Sequence, residues 1–290
     1  MNRWLERILI VFCWICGLAL LAAIATIFGY LLYQGLGTIN LRLIFGNTSP
    51  VDALLLRKHV FAGLFPAMVG TLAVVTLSVG FALPLSFGCS ALISVFAPRG
   101  FGGFLRKVVQ LMTGVPTVVY GFVGIFLLVP MVREIFQGGS GMCVLTASLM
   151  LAVLISPTLI LFFVDGFDRV PSSYLDAVAA MGGNEAQQFI FVILPNAWRS
   201  VLSGIVIAFG RALGDTLIAL MIAGNAAQVP ASILESARTL TAHIALVIAA
   251  DYDSPEFKSI FACGLILYLF STMMVVLIRS IGAIFGRKEK

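Results

Sequence analysis

Five uncharged runs of the chain are each long enough to cross a lipid bilayer as a helix, which requires roughly 20 apolar residues. They cover residues 8–33, 60–97, 108–132, 142–164 and 259–278. A water-soluble fold of 290 residues would need far more polar surface, since 60% of these residues are hydrophobic and only 11% are charged. The chain is therefore predicted to be an all-α integral membrane protein.

A sixth span is predicted at about 200–223, where Arg211 and Asp215 interrupt an otherwise apolar run. Six spans place both termini on the same side of the membrane. If that side is the cytoplasm, the inside segments hold 11 of the 18 basic residues and the outside segments hold six, as the positive-inside rule requires. We therefore expect cytoplasmic termini, and the net charge of +5 needs no nucleic-acid partner.

Two parts of the chain are expected. Residues 1–59 form an N-terminal membrane helix and an extracytoplasmic segment, and residues 60–290 form a five-helix core. The second run is too long for one perpendicular span, and Pro66 and Pro84 lie within it. Its first turn or two is therefore expected outside the membrane or along the interface. The longest inside loop of the core covers residues 165–199.

This inside loop carries its own helix signals. Ser173 followed by Asp176 fits a capping box at the start of a short helix. Gly182 offers a stop with access to positive φ. Asn184 then begins a second short helix, which Pro195 is expected to end before the next span.

One face of the first short helix is apolar. Leu175, Val178 and Ala179 stand at positions i, i+3 and i+4 and share that face. An apolar face on a water-exposed loop needs a partner. That partner is either the helix bundle of the chain itself or another subunit.

The loop resembles the signature of ABC-importer permeases, E-A-A-x3-G-x9-I-x-L-P, with its full spacing kept. The matching positions are Asp176, Ala177, Val178, Gly182, Val192, Leu194 and Pro195. Asp176, Val178 and Val192 stand where the family has Glu, Ala and Ile. The resemblance implies the fold of a type I ABC-importer permease, in which this loop is the coupling helix that inserts into an ATPase subunit. The residues it assigns to coupling are Leu175, Asp176, Ala177, Val178, Gly182, Leu194 and Pro195.

Further segments are similar to the phosphate-specific permeases of the Pst type, and together they cover nearly all of the chain after the first span. These segments are residues 61–88, 114–126, 210–230 and 237–246. The sequences "LIALMIAGNAAQVP" and "SARTLTAHIAL" look more like the PstC-type subunit than the PstA-type subunit.

The Pst resemblance implies a permease subunit of an ATP-driven phosphate importer in the bacterial cytoplasmic (inner) membrane. Its implied partners are a PstA-like second permease, a PstB-like ATPase dimer and a PstS-like extracytoplasmic phosphate-binding protein. The chain lacks the G-x-x-x-x-G-K-[ST] sequence that holds nucleotide phosphates. We therefore expect no enzyme activity, cofactor or metal site on this chain, and place ATP and Mg²⁺ on the partner ATPase.

The sequence "GRALGDT" at 210–216 places two opposite charges in a membrane span. A charge at the middle of the bilayer costs about 2.5–3.5 kcal/mol, so it should face protein or an aqueous pathway. In a continuous helix Arg211 and Asp215 share one face at i and i+4 and can pair. Gly210 and Gly214 form a G-x-x-x-G stripe that allows another helix to pack closely.

Two interpretations of the charged pair remain open at this point. In the first, Arg211 lines the substrate pathway and binds an oxyanion through its planar guanidinium, while Asp215 holds it and partly neutralises it. In the second, the two residues form a buried ion pair that only fixes the register of the helix.

Weaker candidates for the pathway are the hydroxyls of Thr113, Thr117 and Tyr120, all expected in the third span. Threonine in a membrane helix more often bonds to its own backbone. Alternative functions are a PstA-like partner subunit, a permease for another oxyanion, an ion-driven anion transporter or a membrane docking subunit. The last two leave either the loop signature or the charged pair without an explanation.

Overall fold

The computed structural model of the chain describes residues 3–46, 48–54, 63–137, 139–252 and 254–286. Within these ranges the chain is almost entirely helical, and the only bridge between extended segments joins Gly224 to Ala237. The α-helices, numbered in chain order, are α1 (Arg3–Thr38), α2 (Leu41–Phe45), α3 (Pro50–Leu54), α4 (Phe65–Ala91), α5 (Arg99–Thr113), α6 (Thr117–Val123), α7 (Val129–Phe136), α8 (Val144–Asp168), α9 (Ser172–Ala180), α10 (Glu185–Gln188), α11 (Leu194–Gly214), α12 (Leu217–Ile222), α13 (Leu240–Val247) and α14 (Pro255–Gly286).

Six helical stretches of the described chain are long and apolar enough to cross a membrane. This confirms the predicted all-α architecture with six spans. The spans are Glu6–Thr38, Phe65–Phe96, Thr117–Phe136, Val144–Asp168, Glu185–Gly214 and Pro255–Ser280.

The second span begins at Phe65, with Pro66 in its first turn, where the missing N–H of proline has no helical partner to lose. Pro84 lies inside the helix. The expected outside turn at residues 60–62 and the expected boundary between residues 59 and 60 lie outside the described residues.

The uncharged run 108–132 contains parts of two helices, so the predicted third span was wrong at residues 108–116. Helix α5 ends at Thr113, and the spanning helix begins at Thr117. Pro116 explains the break, because proline disfavours helical backbone at the residue before it. The run has no charge that would mark this corner.

Helix α5 is amphipathic and packs along the end of α8. Its buried Val109 lies against Ile160 and Val164 of α8. Phe104 and Leu111 point away from the chain and are exposed. Helix α5 therefore has two apolar faces, one packed against α8 and one exposed.

The fifth span differs from the predicted 200–223 at both ends. The helix runs without interruption from Glu185 to Gly214 and then stops. Leu217–Ile222 is a separate short helix. Pro195, which was expected to end the preceding helix, lies inside the continuous one.

Wide, π-helical turns precede three prolines of the chain. Two of these prolines, Pro130 and Pro195, lie inside continuous helices, whereas Ala97 is extended and the helix ends before Pro98. Among the described residues such turns cover Leu92–Phe96, Gly124–Leu128 and Phe189–Ile193, and each is followed after one residue by a proline. A proline ring clashes with the carbonyl four residues earlier and donates no hydrogen bond to it. In the wide turn the N–H of Leu194 bonds five residues back to Phe189, which relieves this conflict and lets the helix continue.

Helix α8 is the centre of the bundle, and α1 lies at its edge. Most of the apolar window of α8 is buried inside the chain, whereas none of the corresponding window of α1 is. Both α4 and α11 pack on α8, and α1 packs on α14. The side chains around α8, including Leu154, Ile155, Leu159 and Phe163, form the main core.

Candidate functional site

The break after Gly214 is built around Asp215. The backbone of Asp215 is extended, with φ −73° and ψ 123°. Its Oδ2 accepts a hydrogen bond of 2.9 Å from the N–H of Ile218, and its main-chain carbonyl accepts one of 3.1 Å from the hydroxyl of Thr241. Asp215 therefore supports the first turn of α12 as a capping residue does and ties it to α13.

The predicted pairing of Arg211 with Asp215 is wrong. Because α11 ends at Gly214, the two residues no longer share a continuous helix face, and they form no ion pair. The guanidinium of Arg211 instead donates to the hydroxyl of Thr158 on α8, at 2.6 Å from Nη1. No other hydrogen bond of this guanidinium is made to a described residue, and the side chain is half-exposed. Its remaining donors are therefore available to a ligand.

The expected glycine stripe is open within the chain. A methyl group built on Gly210 or Gly214 would meet no described residue within 4 Å. The close approach between α11 and α8 occurs nearer the N-terminus of α11, where a methyl on Gly166 would lie 2.5 Å from Cβ of Ser200. Gly204 lies similarly close to Phe162. The glycine stripe of Gly210 and Gly214, beside Arg211, is therefore a surface that the described chain leaves uncovered.

The three candidate hydroxyls are not gathered around Arg211 by hydrogen bonds. Thr113 lies on α5 rather than in the third span, and its hydroxyl donates to the carbonyl of Gln110 at 2.7 Å. The hydroxyl of the buried Tyr120 donates to the carbonyl of Met112 at 3.1 Å and so closes the corner between α5 and α6. Thr117 opens α6 and is half-exposed.

The segment after α12 folds back onto the bundle. Gly224 and Asn225 have positive φ values of 87° and 59°, which glycine and asparagine tolerate best. Arg238 donates two hydrogen bonds to the carbonyl of Asn225, at 3.2 and 3.0 Å. The N–H of Leu240 donates to the hydroxyl of Thr71 on α4, at 2.9 Å. These contacts fix the segment that receives the broken end of α11.

His243 of α13 lies beside this segment, in a cavity of about 240 Å³ that Arg238 and Glu256 also line. One of its ring nitrogens, Nε2, is 3.2 Å from the hydroxyl of Ser259. Burial lowers the pKa of His243, and the positive charge of Arg238 lowers that pKa further.

The inside loop forms two short helices, as predicted, but starts differently. Helix α9 begins at Ser172 after Pro171, which makes no side-chain capping bond, so the expected capping box of Ser173 and Asp176 was wrong. Proline before the helix fixes the approach of the backbone without it. Gly182 has the expected positive φ, at 81°. A capping box does occur at the start of α10, between Asn184 and Gln187.

Helix α9 has two apolar faces. One packs on the chain itself, and the other is exposed and could contact another subunit. Leu175 and Val178 are half-buried against the chain itself, and the carbonyl of Leu175 accepts a hydrogen bond from Gln188 at 3.3 Å. Tyr174 and Met181 point outward and are 52% and 80% exposed. Ala177 lies between them and is also exposed.

This outward surface, which we call the docking face, therefore consists of Tyr174, Ala177 and Met181, at positions i, i+3 and i+7. Ala179, which was expected to share a face with Leu175 and Val178, is exposed, and so is Asp176. The signature positions Val192, Leu194 and Pro195 continue directly into α11, because the wide turn before Pro195 keeps the helix intact.

Sequence reasoning missed several residues of the site. Thr158 and Thr241 bind Arg211 and Asp215, and only the S-P-T sequence at 156–158 hinted at a polar group beside the charged pair. Tyr174 and Met181 could have been found by testing the second helical face of the loop for apolar residues.

A family model for the "Binding-protein-dependent transport system inner membrane component" matches residues 85–288. The chain is 32% identical over 218 residues to the probable ABC transporter permease protein YqgH of Bacillus subtilis, covering 75% of this chain and 71% of that protein. It is 26% identical over 293 residues to the phosphate transport system permease protein PstC of Pasteurella multocida, covering 93% of this chain and 88% of that protein.

Solved structures show the same fold at low sequence identity. A bacterial ABC transporter involved in the import of the acidic polysaccharide alginate matches with a TM-score of 0.61 at 14% identity, over 100% of both chains. The MetNI methionine ABC transporter in an inward-facing conformation matches with a TM-score of 0.57 at 17% identity, over 84% of this chain and 99% of that chain.

Proposed function

The chain belongs to the family of inner-membrane components of binding-protein-dependent transport systems, and we propose that it is the PstC-type permease subunit of an ATP-driven phosphate importer. It is a multi-pass membrane protein. The distribution of basic residues supports cytoplasmic termini in a bacterial cytoplasmic membrane. We assign residues 1–59 to an N-terminal membrane helix with an extracytoplasmic segment, and residues 60–290 to the five-helix permease core.

The observation that carries this proposal is the arrangement around Arg211. Its guanidinium stands at the open end of a broken helix, is held from one side by Thr158 and has unused donors. A planar guanidinium can bind two oxygens of a phosphate at once. Gly210 and Gly214 leave space beside it, so a second permease packed on this surface would complete a pathway with Arg211 at its wall.

Asp215 acts on this site by placing the break. Its carboxylate is engaged by the N–H of Ile218 rather than by Arg211. The charge of Arg211 is therefore less neutralised than in a direct ion pair, which favours attraction of an anion. Release then depends on a change in the surroundings of Arg211 when the two permeases move, driven from the loop at 165–199. Weaker candidates for the same pathway are the hydroxyls of Thr113, Thr117 and Tyr120.

Coupling to the ATPase is assigned to α9 and the turn that follows it. The docking face of Tyr174, Ala177 and Met181 is apolar and unpartnered within the described chain. Asp176 and Gly182 keep their coupling roles from the signature, and Val178 supports the turn through its close contact with Gly183. Leu175 transmits force by anchoring α9 to the bundle. Leu194 and Pro195 pass it into α11. ATP and Mg²⁺ would bind the PstB-like ATPase dimer, while a PstS-like protein delivers phosphate.

The transport proposal is tested by reconstituting the chain with a PstA-like permease, a PstB-like ATPase and a PstS-like protein in liposomes. Arg211→Gln should lower ATP-dependent phosphate uptake by about 10- to 100-fold, because a charge-assisted hydrogen bond contributes about 1.5–3 kcal/mol. Arg279→Gln, which removes an exposed arginine of another spanning helix, is the control and should transport normally.

Four outcomes would separate the alternatives. Uptake that continues without ATP would support an ion-driven anion transporter and overturn the importer. Preferred uptake of sulfate or molybdate would assign another oxyanion. Normal phosphate uptake by Arg211→Gln in an assembled complex would leave Arg211 with a structural role only, and a complex that assembles but carries nothing would indicate a docking subunit.

Docking is tested separately by co-purification of the ATPase. The double substitution Tyr174→Ala and Met181→Ala should reduce the amount of ATPase retained, since apolar side chains at the centre of an interface carry much of its energy. Ser173→Ala changes an exposed polar residue of the same helix and should retain the ATPase fully. Equal retention by both variants would move the ATPase contact away from this face.

A further inference from the structure

A second polar cavity, of about 290 Å³, lies between the end of α8 and the first turns of α11. It is separate from the surroundings of Arg211. Its polar lining consists of Asp165, Arg169, Arg199, Ser200 and Ser203.

The close crossing of the two helices creates this cavity. Gly166 leaves so little space that an added methyl would lie 2.5 Å from Cβ of Ser200. The helices therefore touch at this point, and the longer side chains on either side of it surround the remaining gap. Helix α8 ends at Asp168, with Arg169 as its C-cap. Arg169 and Arg199 thus approach the same space from different helices.

The charges at the cavity do not cancel. Arg106 of α5 binds Asp165 at 3.0 Å and Asp168 at 2.8 Å, so both nearby carboxylates already have a cationic partner. Arg169 and Arg199 form no ion pair or side-chain hydrogen bond with any described residue. The cavity therefore presents two guanidinium groups without a matching anion.

The cavity also contains serine hydroxyls, which can donate hydrogen bonds to the oxygens of a ligand. Ser203 donates to the carbonyl of Arg199 at 2.9 Å. The hydroxyl of the half-buried Ser200 makes no hydrogen bond with a described residue. Two guanidiniums and one free hydroxyl suit the charge and the number of oxygens of a phosphate group better than those of a carboxylate, which has only two oxygens.

We propose that this cavity binds a phosphate group at the end of the bundle that carries the loop at 165–199. Two molecules supply that chemistry: the headgroup of an anionic phospholipid and inorganic phosphate. Basic pockets between spanning helices at the cytoplasmic interface are suited to lipid headgroups. The proposal rests on the cavity and its charges and is independent of which substrate crosses the membrane.

The test measures binding to the purified full chain in neutral detergent by native mass spectrometry. Phosphatidylglycerol and inorganic phosphate are added separately and then together. The double substitution Arg169→Gln and Arg199→Gln should lower occupancy by about tenfold or more, since each removes charge-assisted hydrogen bonds. Lys107→Gln removes an exposed positive charge near the same end of the bundle and should bind as the unmodified chain does.

The arms distinguish the two sources. Retention of phosphatidylglycerol that inorganic phosphate does not displace assigns a lipid site, and displacement assigns a site for soluble phosphate. Arg169→Lys with Arg199→Lys keeps the charge and should retain part of the binding, and its thermal unfolding reports whether the cavity variants fold. No binding of either molecule, or equal binding by the double glutamine variant, would overturn the proposal.

Discussion

The two halves of α11 differ in helix continuity and in packing. The lower half, from Leu194 to Gly204, contains a proline yet remains a continuous helix and packs closely on α8. The upper half, from Ile205 to Gly214, contains no proline yet ends abruptly in the apolar region, with its glycines open.

The difference shows that helix continuity here is decided by where backbone groups find partners. Below Pro195, the wide turn gives Leu194 a partner in Phe189, and the helix survives. Above Gly214, Asp215 offers a side-chain acceptor to Ile218, and Thr241 takes the carbonyl of Asp215. These two contacts satisfy the N–H of Ile218 and the carbonyl of Asp215 at the break.

The largest expected effect concerns packing. Gly166→Ala should lower the free energy of unfolding by about 1–3 kcal/mol, because its methyl group would collide with Ser200 and push α11 from α8. Gly210→Ala meets open space within the chain and should leave that free energy unchanged. Denaturant titration of the purified chain in detergent measures both.

The same pair of variants sharpens the role of the upper half in assembly. If the surface beside Arg211 contacts a second permease, Gly210→Ala should weaken co-purification of the two permeases although the chain itself is stable. A loss of stability in Gly210→Ala equal to that of Gly166→Ala would contradict the division of α11 into a packed half and an open half.

The next effect concerns the break itself. Asp215→Ala removes the acceptor of the Ile218 N–H and should lower stability by about 1 kcal/mol, as the loss of a capping side chain does. Asp215→Asn keeps an oxygen acceptor and should restore most of that stability. Thermal unfolding of the two variants measures the difference. Equal destabilisation in both would show that the charge of Asp215, rather than its hydrogen bond, supports the break.

Much of the fold could be predicted because five of the six predicted spans are marked by a run without charges. The corner between Thr113 and Thr117 is harder to locate, since no charge interrupts the run there and only Gly114 and Pro116 indicate a broken helix. Gly182 was predicted correctly because a positive φ is a local property of the backbone.

The geometry of Arg211 and Asp215 depends on residues distant in the sequence. Spacing of i and i+4 predicts pairing only if the helix continues. Here Thr158 binds the guanidinium of Arg211, and Thr241 binds the carbonyl of Asp215 where the helix stops. These threonines lie on α8 and α13. Sequence alone thus located the charged residues but could not select their partners.

A smaller effect tests the proline of the lower half. Proline inside a regular helix costs about 3 kcal/mol, so Pro195→Ala would stabilise the chain by that amount if the ring were in conflict with α11. Because the wide turn already accommodates the ring, we expect stabilisation of less than about 1 kcal/mol. Denaturant titration distinguishes the two values, and the larger one would mean that the wide turn does not relieve the proline.

The smallest effect concerns α13, which contacts the chain directly after the end of α11. His243 lies on α13, whose Thr241 holds the carbonyl of Asp215. Because burial and Arg238 lower the pKa of His243, the folded chain keeps this ring neutral at a pH where the unfolded chain, with a histidine pKa of about 6.5, gains a proton. The contribution of His243 to stability is therefore complete above about pH 6.5 and is lost as the pH falls below that value.

Replacing His243 by glutamine, which keeps a polar group near Ser259 but does not titrate, should remove this part of the pH dependence. The melting temperature of the unmodified chain should then fall more steeply than that of His243→Gln between pH 7.5 and pH 5.5, while the two curves run parallel above pH 7, where both side chains are neutral in the folded and unfolded chains. Parallel curves over the whole range would mean that His243 is protonated as readily in α13 as in water, and that the contacts around Thr241 and Asp215 hold the broken end of α11 without depending on a neutral imidazole.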